Sequence, residues 1–225
     1  MPNVSKEAHA RVCLLDNEQI AALQRTASRS QEPPAQLAAI MALIPCSAAA
    51  IASAPIEMID RNQGLLRVKD PSGFIAEVAL GHDAAMTIAA ALYDRHDGPL
   101  LDDGFGRGIT ADKDTEDYAR ELLASDKEEP ITFAWSFRLL RESVFANMAD
   151  DGIAHHVAMA QAGFGIRHVT DIDRAQMLFD QRAAADWWSY RLGLMPPSPF
   201  ALIDGGTRAP IRRSGLPPFR PGRAG

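Results

Sequence analysis

Ser136-Phe-Arg-Leu-Leu-Arg141-Glu-Ser-Val-Phe-Ala-Asn-Met-Ala-Asp-Asp-Gly152 is the stretch of sequence that says most about the fold. It opens on serine, a residue type that caps helix N-termini, and it closes on glycine, which is typical of the position just after a helix. This pattern predicts a helix over roughly 135 to 150. Two further helices are expected after it, at roughly 153 to 162 and 174 to 192, with Gly163 ending the first of them.

The sequence before this stretch predicts two helices, a β-hairpin and a third helix. Asp16 and Gln19 have the spacing of a capping box at the start of the first helix. The second, at 35 to 54, is almost entirely apolar and therefore expected to be buried, with Pro45 as a kink or break. Two short strands at 64 to 69 and 74 to 80 flank a Pro/Gly turn, and helix returns at 83 to 93. The expected fold class is α+β, mainly α-helical, with a small β-hairpin or sheet.

Glycines mark a loop between residues 94 and 110, after which a charged helix is expected to about residue 125, capped by Thr110 or Asp112. A phosphate-binding reading of the glycines is disfavoured, because no strand precedes them and Asp102 and Asp103 would repel phosphate. The charged face of the helix is most simply a solvated surface.

The balance of charge argues against strong DNA binding by the body of the protein. The chain has 225 residues with 23 basic and 29 acidic side chains, a formal net charge of −6. We expect one domain over residues 1–195 and a Pro/Arg-rich tail over 196–225. The last 21 residues hold five arginines and no acid, so the rest carries −6 − 5 = −11. If DNA is contacted, these tail arginines are leading candidates: Arg208, Arg212, Arg213, Arg220 and Arg223.

Other composition features favour a cytoplasmic protein with no cofactor and no metal. Cys13 and Cys46 suggest neither a disulfide framework nor a zinc site. The sequence shows no apolar stretch typical of a signal peptide or a membrane span. His155 and His156 are neighbours in a helix and so point to different sides, with no acidic or cysteine partner four residues on.

The stretch from Arg141 to Gly152 resembles the corresponding segment of the tyrosine recombinase (phage integrase) catalytic domain. In that family a helix carrying H-x-x-R-x-[TS] ends in a glycine turn, and an L-G-H segment and the nucleophilic tyrosine follow. The segment from Asp173 to Tyr190 is also similar to the helix that follows that tyrosine. The resemblance covers roughly residues 12 to 192 and implies a catalytic-domain-like fold without the family's N-terminal core-binding domain.

Family members cleave DNA through a tyrosine, while two arginines neutralise the phosphate and histidine and lysine move protons. Arg141 matches the second arginine, which implies a phosphate clamp; otherwise it is an ordinary helix arginine paired with Glu142 or a nearby aspartate. The other positions depart from the family pattern. Arg138 stands for the first histidine, Ser47 for the first arginine, Phe164 for the L-G-H histidine, and Ile172 or Asp173 for the tyrosine. Only the family's hairpin lysine has a candidate match, Lys69, although it precedes the turn and a lysine there is more often simply an exposed strand residue.

These departures predict a catalytically degenerate recombinase-like protein of DNA recombination or integration that binds DNA or a partner integrase without cleaving. In the family the closing helix can pack onto a neighbouring subunit, so a partner integrase or a homo-oligomer is expected there, and no membrane. One alternative is an interaction module with no DNA contact, which the net charge favours. Another is an active DNA-breaking and rejoining enzyme that uses Tyr190, although the neighbouring tryptophans indicate an aromatic packing cluster instead.

Overall fold

A computed structural model describes residues 14–69, 73–164 and 171–194 of the chain. These ranges contain helices and strands with the following bounds: α1 Asn17–Ser28, α2 Pro33–Leu43, α3 Ala48–Ala52, β1 Ile59–Asp60, β2 Leu65–Lys69, β3 Ile75–Ala79, α4 His82–Leu92, α5 Lys113–Ala124, α6 Phe137–Asp150, α7 His155–Gln161 and α8 Asp171–Arg191. None of the helices in these ranges is both long and apolar enough to cross a membrane.

The predicted α+β class is confirmed, because the structure is mainly helical with one small sheet. The sheet is antiparallel, in the order β1-β2-β3, and the predicted hairpin forms its β2 and β3 strands. The sequence did not predict β1, where Ile59 pairs with Leu66 and Asp60 with Leu65. Two residues are too few to show the alternation by which a strand is recognised.

Helix ends follow the local sequence signals closely. The Asp16 side chain accepts a hydrogen bond from the Gln19 backbone N–H, and the Gln19 side chain accepts one from the Asp16 backbone N–H, so the predicted capping box is confirmed. The predicted break at Pro45 is confirmed too, because α2 ends at Leu43 and α3 starts at Ala48. Proline has no N–H to continue the helical hydrogen bonds.

Helix α2 forms the centre of the core. Its residues from Leu37 to Leu43 are at most 2% exposed, as predicted from their apolar sequence. Six described helices pack against it: α1, α3, α4, α5, α6 and α8. Trp188 of α8 is fully buried, and its indole Nε1 donates to the Ala42 carbonyl at 2.8 Å. The closing helix is therefore anchored to the end of α2.

Glycines end α6 and α7 as predicted. Gly152 has φ 86° and Gly163 has φ 77°, a left-handed conformation that glycine adopts without strain. A Cβ on Gly163 would also lie 2.9 Å from Cγ2 of Val68 and 3.1 Å from Sγ of Cys46. This glycine lets the end of α7 approach both the sheet and the segment around Pro45.

Candidate functional site at the start of helix α6

Arg141 is held by two contacts that the sequence did not suggest. Its Nε donates to the carbonyl of Pro45 at 3.0 Å, and its guanidinium lies 5.3 Å from the centroid of the Phe164 ring. The Pro45 carbonyl lies in the break between α2 and α3. Stacking on an aromatic ring and donating to a carbonyl together fix the direction in which the rest of the guanidinium points.

The ion pair considered for Arg141 belongs to Arg138 instead. Arg138 Nε lies 2.8 Å from Glu142 Oε1. Residues four apart on a helix are neighbours, whereas Arg141 and Glu142 are adjacent in sequence and face different directions. Arg138 is therefore an exposed, paired arginine, and Arg141 has no carboxylate partner among the residues that the structure describes.

A cavity of about 390 Å³ lies beside the two arginines. Two of the family-matched positions, Ser47 and Arg138, lie on its wall together with Arg141. The start of α5 forms the other side. The described lining residues are Ser47, Ala48, Ala111, Asp112, Lys113, Glu116, Phe137, Arg138 and Arg141.

Helices α3, α5 and α6 all begin at this cavity. The Ser47 side chain accepts from the Ala50 backbone N–H at 3.2 Å, and Asp112 accepts from that of Thr115 at 2.9 Å. Glu116 Oε2 accepts from the Phe137 backbone N–H at 2.9 Å, so a carboxylate of α5 satisfies the first amide of α6. Helix N-termini carry partial positive charge, which these acids offset in part.

The electrostatic balance of the cavity is slightly positive. Its lining has three cationic side chains and two carboxylates, which sum to +1. The hydroxyl of Thr110 donates to Asp112 and lowers the pKa of that carboxyl, as does the backbone N–H of Thr115. Both carboxylates are thus committed to helix starts, while no described residue accepts a hydrogen bond from the Nη atoms of Arg141. These atoms are suited to an incoming oxyanion such as a phosphate or a carboxylate.

Cys46 lies next to Pro45 but offers no nucleophile. Its side chain is fully buried, and its Sγ donates to the Gln161 carbonyl at 3.3 Å. Burial raises the pKa of the Cys46 thiol to about 12, although the charge of Arg141 opposes the shift. The thiolate, which is the reactive form, is therefore scarce near neutral pH.

The remaining family-matched positions are only partly gathered at the cavity. Phe164 stacks under Arg141. Lys69 is exposed at the end of β2 and lines a different cavity, with Ala50 and Pro55 among its neighbours. Asp173 is exposed on α8, and the side chain of Ile172 lies outside the described residues. The structure thus unites Ser47, Arg138, Arg141 and Phe164 and leaves Lys69 apart from them.

Tyr190 does not line the Arg141 cavity. It is two residues from Trp188, about 200° round the helix, so it projects from the side of α8 opposite to the one that faces α2. Its ring is 39% exposed and packs against Trp187 with the centroids 5.4 Å apart. The aromatic packing predicted for this segment thus divides between Trp187 with Tyr190 on one side and the buried Trp188 on the other.

The predicted tail arginines all lie in residues 195–225, outside the described residues. They are Arg208, Arg212, Arg213, Arg220 and Arg223. Within the described ranges, no group of three or more His, Cys, Asp or Glu side chains is placed to hold a metal ion. His155 and His156 are both exposed, and the His155 ring meets that of Phe145 edge-on at 5.9 Å.

Sequence reasoning missed the contribution of α5 to this cavity. It predicted Asp112 as a possible cap and assigned the charged face of the helix to solvent. Lys113 and Glu116 instead line the cavity, because α5 packs with its first turn against the start of α6. No local signal marks such a contact, since residues 116 and 137 are brought together only by tertiary packing.

The comparisons with known proteins leave the chain without an assigned family. No model of a known protein family matches it, and no curated protein matches it at a significant level.

Proposed function

We propose that this protein is a tyrosine recombinase-like module of DNA recombination or integration that binds without cleaving. The carrying observation is the placement of Arg141. Its Nε donates to Pro45, its guanidinium lies over the Phe164 ring, and it lines the cavity with Nη atoms that have no acceptor among the described residues. A guanidinium held in this way can contact a phosphate oxygen pair of duplex DNA. Arg138 lies on the same wall, where its charge is paired with that of Glu142.

The lack of a tyrosine at the cavity supports the non-cleaving part of the proposal. The sequence has three tyrosines, Tyr93, Tyr118 and Tyr190, and all lie in the described ranges. None of them lines the cavity. Loss of the nucleophile from a concerted site costs on the order of a million-fold in rate, which leaves binding as the useful property of the arginine.

A second candidate function is pairing with a protein partner, such as an integrase, without DNA contact. The net charge of −6 favours it, because a DNA-binding surface is normally basic. Asp112 and Glu116 also bring two carboxylates within the cavity that a DNA phosphate would enter.

Titration of a labelled duplex, followed by fluorescence anisotropy over a salt series, separates the two candidates. We expect weak, salt-dependent binding by the full chain. Arg141→Ala should weaken it and reduce the slope of log K against log salt by about 1, because one phosphate contact is lost. The matched control is Arg61→Ala, which removes one charge from the exposed turn between β1 and β2.

A form ending at Asp204 measures the share of the five tail arginines in the same titration. If the full chain does not bind at low salt, DNA binding is wrong and pairing without DNA becomes the better account. If Arg61→Ala weakens binding as much as Arg141→Ala, the cavity is not the contact.

Cleavage is tested separately with a nicked duplex that would trap a covalent intermediate. We expect no protein–DNA adduct after denaturing electrophoresis. An adduct formed by the natural sequence and lost in Tyr190→Phe would overturn the non-cleaving assignment and make Tyr190 the nucleophile.

A further inference from the structure

The hydrogen bond that starts helix α6 occupies only one oxygen of the Glu116 carboxylate. Glu116 Oε2 accepts from the Phe137 backbone N–H at 2.9 Å, and no described residue donates to Oε1. Both oxygens of Asp112, the other acid that lines the same cavity, have donors, which are the backbone N–H of Thr115 and the hydroxyl of Thr110. Among the described lining residues, Glu116 is therefore the acid with an oxygen left for a ligand.

Glu116 also has no cationic partner, although three cationic side chains line the cavity with it. Arg138 is paired with Glu142, while Arg141 and Lys113 form no ion pair with a described residue. With Glu142 counted, three cations and three carboxylates lie at the cavity, and their charges sum to zero. The cavity therefore offers a cation and an anion that are both unpaired, rather than an excess of either charge.

This arrangement suits a ligand that carries an oxyanion beside a hydrogen-bond donor. The oxyanion can accept from the Nη atoms of Arg141, and the donor can reach Oε1 of Glu116. A ligand with negative charge alone would bring that charge close to an unpaired carboxylate, and the repulsion would offset the attraction to the arginine. Both groups are therefore required for a favourable fit.

In DNA the two groups are a phosphate and the amino group of a base. Cytosine carries a donor at N4, from which acidic side chains accept, whereas thymine has an acceptor, O4, in the same place. The cavity volume of about 390 Å³ is at the small end of the range of about 300–1,000 Å³ for pockets that bind single small ligands. Such a space suits one nucleotide that has left the base stack rather than a duplex.

We propose that the Arg141 cavity binds one unpaired nucleotide of DNA and selects cytosine over thymine. Arg141 holds the phosphate, and Glu116 Oε1 accepts from N4 of the base. Ala48 and Ala111 line the cavity with small side chains, which leaves room for the base ring. The inference rests on the proposed function, because it requires that Arg141 contact a DNA phosphate.

The test compares single strands of cytosine and of thymine by fluorescence anisotropy with the full chain, at a slightly alkaline pH that keeps cytosine unprotonated. Strands of about twelve nucleotides each carry the same number of phosphates, so the tail arginines contribute equally to both. We expect the cytosine strand to bind about fivefold more tightly, through one hydrogen bond to a charged group. A cytosine strand dimethylated at N4 keeps the phosphates but loses the donor, and it should bind no more tightly than thymine.

Glu116→Gln tests the carboxylate without removing the hydrogen bond that starts α6. The glutamine oxygen can still accept from the Phe137 N–H, which places the glutamine NH₂ group where Oε1 was. A donor there matches O4 of thymine, so this variant should bind the thymine strand at least as tightly as the cytosine strand. Glu121→Gln is the matched control, because Glu121 is an exposed acid of the same helix that does not line the cavity. It should keep the preference of about fivefold for cytosine.

The outcomes separate failure of this inference from failure of the proposed function. Equal binding of the two strands, with Arg141→Ala weakening both, would overturn the inference and leave the proposed function standing. Binding of a duplex but of neither strand would have the same meaning. A cytosine preference that persists in Glu116→Gln would also overturn the inference, because the selection would then lie elsewhere. If neither strands nor duplex bind at low salt, the proposed function is wrong and the inference is wrong with it.

Discussion

The interface between α2 and α8 and the Arg141 cavity show two different ways of using polar groups. At the interface, Trp188 is fully buried and its one donor has a carbonyl partner at Ala42. At the cavity, Arg141 is only partly enclosed, and its Nη atoms have no acceptor among the described residues. The first arrangement leaves no polar group available to a ligand, whereas the second leaves the Nη atoms of Arg141 available. Stability and recognition are therefore expected to respond to different substitutions, although Ala42 and Pro45 are only three residues apart.

The largest expected effect comes from breaking the interface. Trp188→Ala removes a fully buried indole and its hydrogen bond, and should lower the free energy of unfolding by about 3–5 kcal/mol in urea denaturation. Trp187→Ala is the matched control, because this ring is only partly buried and its buried Nε1 has no hydrogen-bond partner in the described ranges. It should cost clearly less. Equal losses for the two variants would contradict the division of the aromatic residues between core and surface.

Substitution of the two arginines of α6 should give a smaller difference. Arg141→Ala removes a hydrogen bond to Pro45 and a cation–π contact with Phe164, for a loss of about 1–2 kcal/mol. Arg138→Ala removes a surface ion pair, and its effect should remain within about 0.5 kcal/mol. Thermal or urea unfolding of both variants checks this. If Arg138 proves the more costly to remove, the cavity is not organised around Arg141.

The smallest expected effect is a pH dependence at the sheet edge. A hydrogen bond from Arg174 lowers the pKa of Glu77 below its ordinary value of 4.5, and Arg67 adds to this. The ionised form of Glu77 therefore stabilises the fold in full above pH 4.5; the contribution declines below that value and is lost as the pH falls through the lower pKa of the folded state. Glu77→Gln should lower the free energy of unfolding, measured by urea denaturation, by about 1 kcal/mol or less at pH 7 and by a smaller amount at pH 3. A difference that grew on acidification would contradict the assigned direction.

Much of the frame could be predicted from the sequence, because its signals are local. The capping box at Asp16, the break at Pro45 and the glycine stops at Gly152 and Gly163 each depend on residues within a few positions of one another. Glycine and proline act through the backbone itself, so their effect hardly depends on the surrounding fold. The burial of α2 was predicted for a related reason, since a helix that is apolar on all sides has no face for water.

The candidate site was predicted only in part. The resemblance selected Ser47, Arg138, Arg141 and Phe164, and the structure brings these positions together. It could not select Glu116, whose bond to Phe137 joins two helices across 21 positions. Contacts of this kind are set by packing, which a single sequence does not display.

The central position of α2 also has a consequence for how the chain is made. Its covering helix α8 begins at residue 171, and the bond from Trp188 to Ala42 spans 146 positions. At a synthesis rate of about 5–20 residues per second, roughly 7–30 s pass between the synthesis of Ala42 and that of Trp188. During that time an almost entirely apolar helix lacks at least one of the six described helices that pack against it. The newly made chain is therefore most open to aggregation or chaperone capture before its last helix emerges.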